Sequence, residues 1–300
     1  MSFKVIGIGE VLWDLLPAGP QLGGAPANFA FHARQLGADV QVITRVGNDE
    51  SGHQVLRRFS GMDIDTATVQ VDQQLPTGTA SVVLGPDGTP RFTIRDHVAW
   101  DSLALTSEAL EAVQSVHAIS FGTLAQRSGP ASSVIQQLLA ATPTASLRVF
   151  DVNLRQGFHS LEVLERSLTA ANVLKLSDSE LAALSPILGL NGSVSQKIEQ
   201  LAGRFDLLLV AFTRGERGSL LYQRGDWSDR PGQKLEIVDT IGAGDAFTAA
   251  LVMGLLNQFS LEDIHQIAAD VATFVCSQPG ATPILPNYLR AAFASNVTSF

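Results

Sequence analysis

The sequence predicts an α/β fold: a mostly parallel central sheet covered by helices, with a small β appendage. Three observations carry this. Short apolar, β-branched runs alternate with stretches of helical period, one segment replaces that alternation with two strand-like runs around a turn, and 300 residues of 45% hydrophobic composition can bury a large core. No linker-like tract or internal repeat divides the chain, so residues 1–300 read as one domain from which the appendage grows.

The elements follow in order. FKVIGIG is a strand, PANFAFHARQLG a helix, DVQVITRVG a strand and ESGHQVLRRFSG a helix. The alternation returns in VHAISFG, PASSVIQQLLAA, LRVFDVN, LEVLERSLTAA, NVLKLS, DSELAALS, FDLLLVAFT and the helix opened by GAGDAF. The exception is PTGTASVVLGPDGTPRFTI, two strand-like runs around Pro86-Asp87-Gly88, which is hairpin chemistry. Its short strands suit a lid or a dimer contact.

Net charge and cysteine content narrow the function. A net charge of −9 argues against nucleic acid or anionic membrane as a general partner, so any phosphate has to be held by local dipoles. The N-terminal apolar run is interrupted by Gly7, Gly9, Glu10 and Asp14 and lacks a cleavage site, no stretch is long enough to span a bilayer, and the lone Cys276 cannot form an intrachain disulfide. A cytoplasmic protein is expected. Cys276 itself reads as a small buried hydrophobe.

Several motifs bear on chemistry. Gly7 and Gly9 begin like a dinucleotide fingerprint, but Leu12 occupies the third glycine position, which favours a tight strand exit. Asp14 is expected just past that strand's C-terminal end, the edge where open α/β sheets bind ligands; a solvated loop carboxylate is the alternative. In GGAPANFAFHARQLGA, Gly23 and Gly24 admit close backbone approach, Pro26 can begin a helix, and Asn28 offers a donor and an acceptor to a hydroxyl. In DTIGAGDAF, Gly242 and Gly244 allow successive N–H groups to form an anion nest, reinforced by the dipole of the following helix. Asp245, just inside that helix, would face the nest and could accept a proton from an attacking hydroxyl; merely capping the helix is the competing role, and it leaves the glycines unexplained. A Gly-Lys-Ser/Thr phosphate loop, a Gly-x-Ser-x-Gly elbow and zinc-ligand spacing are absent from the sequence.

GGAPANFAFHARQLGADVQVITRVGNDESG and DTIGAGDAF, in that order, resemble the two signature regions of the ribokinase-like (PfkB-type) carbohydrate kinases. GEVLWDLLP, HVAWD, FDVNLR, KLSDSE and CSQPGATPILP make the chain most similar to bacterial fructokinases within that family. The resemblance implies a three-layer α/β/α sandwich with a β lid from about residues 10–25 and 75–100, and transfer of the γ-phosphoryl group of MgATP to a sugar hydroxyl. It implies Asp245 as base, the backbone of Gly242, Ala243, Gly244 and Asp245 as anion hole, and Asp14, Gly24 and Asn28 as sugar-binding residues. Arg155, in Asp151-x-Asn153-x-Arg155, is similar to an arginine facing the phosphates or the sugar's phosphorylated end. AFTRGERGSLLY resembles the nucleotide loop, which implies Thr213, Arg214, Gly215 and Gly218 along ATP with Lys175 near its phosphates; the same glycines could shape a hairpin. Glu180 would support magnesium through intervening groups, although Ser177 stands where the family commonly has asparagine. Asp239 and carbonyls of Ile241, Val275, Gln278 and Gly280 would hold a potassium ion, with Ile284 where serine is common. His97 and Trp100, with Arg95 as a weaker candidate, suit either sugar closure or hinge packing.

The expected activity is phosphorylation of D-fructose. Alternatives are a kinase for 2-keto-3-deoxygluconate, ribose or a nucleoside, since one or two side chains decide the acceptor, or a non-catalytic sugar-binding regulator. A homodimer through the lid is a further expectation.

Overall fold

The computed structural model describes residues 2–16, 19–84, 90–233 and 235–294; the turn expected at Pro86-Asp87-Gly88 lies outside them. The strands are β1 (Lys4–Ile8), β2 (Leu12–Leu16), β3 (Gly19–Gly23), β4 (Asp39–Gly47), β5 (Val69–Asp72), β6 (Gly78–Leu84), β7 (Pro90–Ile94), β8 (Ala118–Phe121), β9 (Leu147–Asp151), β10 (Val173–Ser177), β11 (Leu209–Thr213), β12 (Ser219–Gln223) and β13 (Asp226–Arg230). The helices are α1 (Ala25–Gln35), α2 (Glu50–Gly61), α3 (Ser107–Gln114), α4 (Gly129–Ala141), α5 (Leu161–Ala170), α6 (Asp178–Leu188), α7 (Val194–Arg204), α8 (Ala243–Leu256), α9 (Leu261–Cys276) and α10 (Asn287–Ala294).

Nine strands form the main sheet in the order β13-β12-β11-β10-β9-β8-β1-β4-β5, parallel except where β12 and β13 fold back as a meander. The twofold period of each buried strand sends alternate residues into two cores. Ile6, Phe150, Leu174 and Val210 pack with α3–α7, whereas Val5, Val149, Val173 and Ala211 pack with α1, α2 and α8–α10. Phe121 and Phe150 stack at 5.3 Å in the first core. Truncating either would cost about 3–5 kcal/mol.

A second sheet, β3-β2-β6-β7, grows from the first as the broken alternation predicted. Thr77, just before β6, is pinned at its base: Asp49 accepts its N–H at 2.8 Å and its hydroxyl at 2.6 Å, and also caps α2 through Gly52 N–H. At the same end, the Arg127 guanidinium lies 3.9 Å from the Trp100 ring centroid and 4.9 Å from that of Phe158, with Nε 2.8 Å from Asp101. Trp100 is 1% exposed.

Parallel register brings the C-terminal ends of β1, β8, β9, β10 and β11 to one edge. Ile8 is opposite Phe121, Asp151 opposite Lys175, and Ser177 opposite Thr213. The N-termini of α1 and α8 face each other above that edge, and the two helices share one core.

Candidate active site

α1 begins against the backbone of β1. A Cβ at Gly7 would lie 2.3 Å from the Pro26 carbonyl oxygen, so this glycine serves strand–helix contact, not a dinucleotide. Gly24 is the N-cap of α1 with φ 109°, and a Cβ there would lie 2.5 Å from the Glu10 carbonyl oxygen. That sharp start buries Asn28 one turn later, where its Nδ2 donates to Asp245 Oδ2 at 2.8 Å.

Gly242 is the N-cap of α8, left-handed at φ 77°, and a Cβ there would lie 2.5 Å from the Ala281 carbonyl oxygen. The first N–H groups of a helix lack intrahelical acceptors, so the Gly242-Ala243-Gly244 turn carries backbone donors at the start of α8, with the Ala243 N–H reaching back to the Thr240 carbonyl at 3.4 Å. Among the described residues no side chain hydrogen-bonds the N-cap of this helix; Asp245, in its first turn, accepts from Asn28. Burial, then repulsion from Asp151, raises the Asp245 carboxyl to about 6, while Asn28, Lys175 and Arg155 pull it down. Lys175 Nζ bonds both Asp151 oxygens at 3.0 and 3.1 Å and lies 3.1 Å from where a Gly244 Cβ would be. Burial disfavours the ammonium, but Asp151, Glu180 and Asp245 outweigh it and keep it charged above its ordinary range.

Arg155 is exposed, and its charge works against burial to lower the carboxyls of Glu10, Asp14, Asp151 and Asp245. Asp14 lies mid-strand in β2, within the small sheet, rather than just past the end of β1. Its Oδ2 lies 2.4 Å from where a Gly23 Cβ would stand, and burial raises it to about 6. Glu10, which no motif singled out, is 3% exposed, is pushed to about 7 by burial, and has an Oε2 without a hydrogen-bond partner among the described residues. A carboxylate immediately after Gly9, the first residue past β1, was its available signal.

On the other side of Lys175, the Gly215–Arg217 turn joins β11 to antiparallel β12, so Thr213, Arg214, Gly215 and Gly218 do shape a hairpin. Gly218, at φ 89°, has the Arg230 carbonyl where its Cβ would be, and Arg214 binds Asp229 at 2.6 Å and the Ser219 carbonyl at 3.1 Å. Glu180 accepts the Leu154 N–H at 2.9 Å and the Ser177 N–H at 2.7 Å, fixing the turn that carries Arg155. Ser177 is the N-cap of α6, so Ser-x-x-Glu is a capping box, a signal the sequence carried.

Asp239 ties the last predicted cluster together, accepting the N–H groups of Ile241 and Gly280, each at 3.0 Å. Gln278 N–H bonds the Val275 carbonyl at 3.0 Å. The Cys276 carbonyl accepts Val238 N–H at 2.9 Å, so its backbone, not its thiol, serves this loop. No group of three His, Cys, Asp or Glu residues suits a metal ion among the described residues, and backbone oxygens are the donors on offer. His97 and Arg95 are exposed at the base of the small sheet, His97 at φ 54°. Among the described residues no helix is long and apolar enough to cross a membrane.

The pfkB family carbohydrate kinase model matches residues 20–287. A fructokinase of Klebsiella pneumoniae is 32% identical over 283 residues, 91% of each chain. The crystal structure of a sugar kinase, PH1459 of Pyrococcus horikoshii, in complex with ATP superposes with TM-score 0.81 at 29% identity, over 93% of this chain and 94% of that one. A fructokinase double mutant from Vibrio cholerae in its fructose-, ADP- and potassium-bound form shares the fold, with TM-score 0.79 at 23% identity over 97% of this chain and 98% of that one. With its glycine turn, buried Asn28–Asp245 pair and ribokinase-like architecture, the chain belongs to the pfkB family of carbohydrate kinases and is an ATP-dependent carbohydrate kinase.

Proposed function

We propose that this kinase phosphorylates D-fructose, with Asp245 as general base. The observation that carries the reading is the Asp245 carboxylate, held by Asn28 in the first turn of the helix that the Gly242 turn opens. Similarity to the Klebsiella fructokinase supports fructose over other acceptors.

Asp14, Gly24 and Asn28 orient the sugar, and His97 lies on the segment that closes over it. Asp245 takes the proton of the acceptor hydroxyl as its oxygen bonds to the γ-phosphorus and the bond to the ADP oxygen breaks. The N–H groups of Gly242, Ala243 and Gly244 receive the charge that develops on the transferring group. Lys175 and Arg155 add positive charge along the phosphates, and the 213–218 turn lies along the nucleotide. Magnesium, supplied with ATP, neutralises phosphate charge, and Glu180 holds the Leu154 and Ser177 backbone on that side. Asp239 and the Ile241, Val275, Gln278 and Gly280 backbone suit a potassium ion that would fix the nest. The small sheet acts as the lid and excludes water, and its edge strands suit a dimer contact. The enzyme acts in the cytoplasm.

The test is ADP release by purified protein with MgATP and fructose, ribose, 2-keto-3-deoxygluconate, glucose or adenosine, with and without potassium. A clear preference for fructose is expected; preference for another acceptor would overturn the substrate assignment. Turnover with none, in folded protein that binds ATP, would favour an untested acceptor or a regulator.

A further inference from the structure

His32 stands one helical turn beyond Asn28 on α1, so the two side chains share a face. It is completely buried, its ring edge to face with Phe31 at 5.3 Å, and its Nε2 lies 2.9 Å from the Ala281 carbonyl oxygen. A carbonyl only accepts, so Nε2 carries the proton and donates. Burial lowers the imidazole to about 4, which keeps it neutral, and the bare Nδ1 has no hydrogen-bond partner among the described residues. A buried ring with one nitrogen unpaired is held for the other nitrogen's bond.

That bond lies directly behind the nest. The Ala281 carbonyl oxygen is 2.5 Å, and its Cα 2.7 Å, from where a Gly242 Cβ would be. The same face of α1 continues the grip: Gln35 donates to the Pro283 carbonyl at 3.1 Å and accepts the Leu285 N–H at 2.7 Å. Across the loop, Asp239 holds Gly280 N–H. A carbonyl released beside Gly242 could turn its negative end toward the transferred phosphoryl group, where the site needs N–H groups.

We infer that His32 is a positioning residue for phosphoryl transfer: its Nε2–H holds the Ala281 carbonyl away from the anion nest, so that α1 sets both the base, through Asn28, and the nest, through His32. This rests on the proposed role of the Gly242–Gly244 turn. It also assigns His32 a task separate from sugar binding, because it faces Ala281 and not the sheet edge.

The test uses side-chain geometry. The amide nitrogen of glutamine can overlie Nε2 of histidine, whereas that of asparagine overlies Nδ1. His32→Gln, His32→Asn and His32→Leu are compared with wild type and Gly244→Ala, with MgATP and fructose, alongside thermal melting. Asn and Leu are expected to lower kcat about 10-fold or more with KM for fructose and ATP little changed, and Gln to restore most of it. Should Leu fail to fold, the Gln/Asn contrast carries the test, since both bury an amide. Equal kcat for Gln and Asn would overturn the inference, as would losses in kcat that merely follow melting temperature. Gly244→Ala separates the two levels. If it loses turnover while the His32 variants keep theirs, only the positioning role fails; if it also keeps wild-type turnover, close passage of the phosphoryl group over Gly244 is refuted, and with it the nest geometry on which the inference rests.

Discussion

Replacing Asn28 by leucine removes the hydrogen bond that helps ionise Asp245 while keeping the branched shape and the number of side-chain heavy atoms. The bond is 2.8 Å long, and Asn28 is the first of the groups that hold the Asp245 carboxyl down against burial and Asp151. A hydrogen bond to a charged group is worth about 1.5 kcal/mol or more, so its loss moves the acid limb upward by about one pH unit. Starting from about 6, roughly three-quarters of wild-type Asp245 is ionised at about pH 6.5 but only about one-quarter in the variant; near pH 8.5 both are almost fully ionised. The variant-to-wild-type ratio of kcat/KM should therefore fall a further factor of about three between those two pH values. Glu10 and Asp14 also titrate in this range, raised by burial to about 7 and about 6, but they are common to both proteins and largely divide out of the ratio. Weaker sugar binding through the lost amide would lower the ratio equally at every pH. The assay is initial-rate ADP release across this range. A ratio independent of pH would refute Asn28 as a control on the ionisation of the base.

The two nest glycines should differ in kind. Gly242→Ala must enter the left-handed region at a cost of roughly 1–2 kcal/mol and meets Ala281 backbone, so it should melt earlier and be inactive. Gly244→Ala meets only the tip of Lys175, so it should melt near wild type yet lose turnover; a melting temperature as low as that of Gly242→Ala would contradict this. Asp245→Asn should be more stable than wild type at neutral pH. With the folded carboxyl raised from 3.8 to about 6, the cost of ionising it is absent below about pH 4 and complete above about pH 6; it amounts to about 2 kcal/mol, allowing for partial exposure. Melting curves at pH 4 and 7.5 check the sign, and a gain larger at pH 4 would reverse it. Arg127→Ala strands the largely buried Asp101 carboxylate and removes the guanidinium that lies over Trp100 and Phe158, costing about 3–5 kcal/mol. Hydrogen exchange across residues 95–101 should rise first, and unchanged protection there would show that Arg127 does not brace the small sheet.

The fold was legible where periodicity was strong, because buried parallel strands and amphipathic helices write their period directly into the chain. The meander of β12 and β13 was less so: polar Asp226, Ser228 and Asp229 do not look like a strand, and only pairing with β12 makes them one. The glycine turn and Asp245 could be read because few other roles suit two glycines at the start of a helix. What joins Asn28 to Asp245 is a bond across 217 positions, which local patterns do not encode. Glu10 and His32 were missed for the same reason, since their neighbours Arg155 and Ala281 arrive from distant elements. Asp14 was recognised by type but misplaced, because the chain turns into a second sheet before reaching it.

The most direct test of the account is the turnover of Asp245→Asn with MgATP and fructose, in protein whose circular dichroism and ATP binding match wild type. If Asp245 is the base, kcat should fall about 100-fold or more while ATP affinity stays within a few-fold. Near-normal turnover by this folded variant would mean that another group, or none, removes the proton.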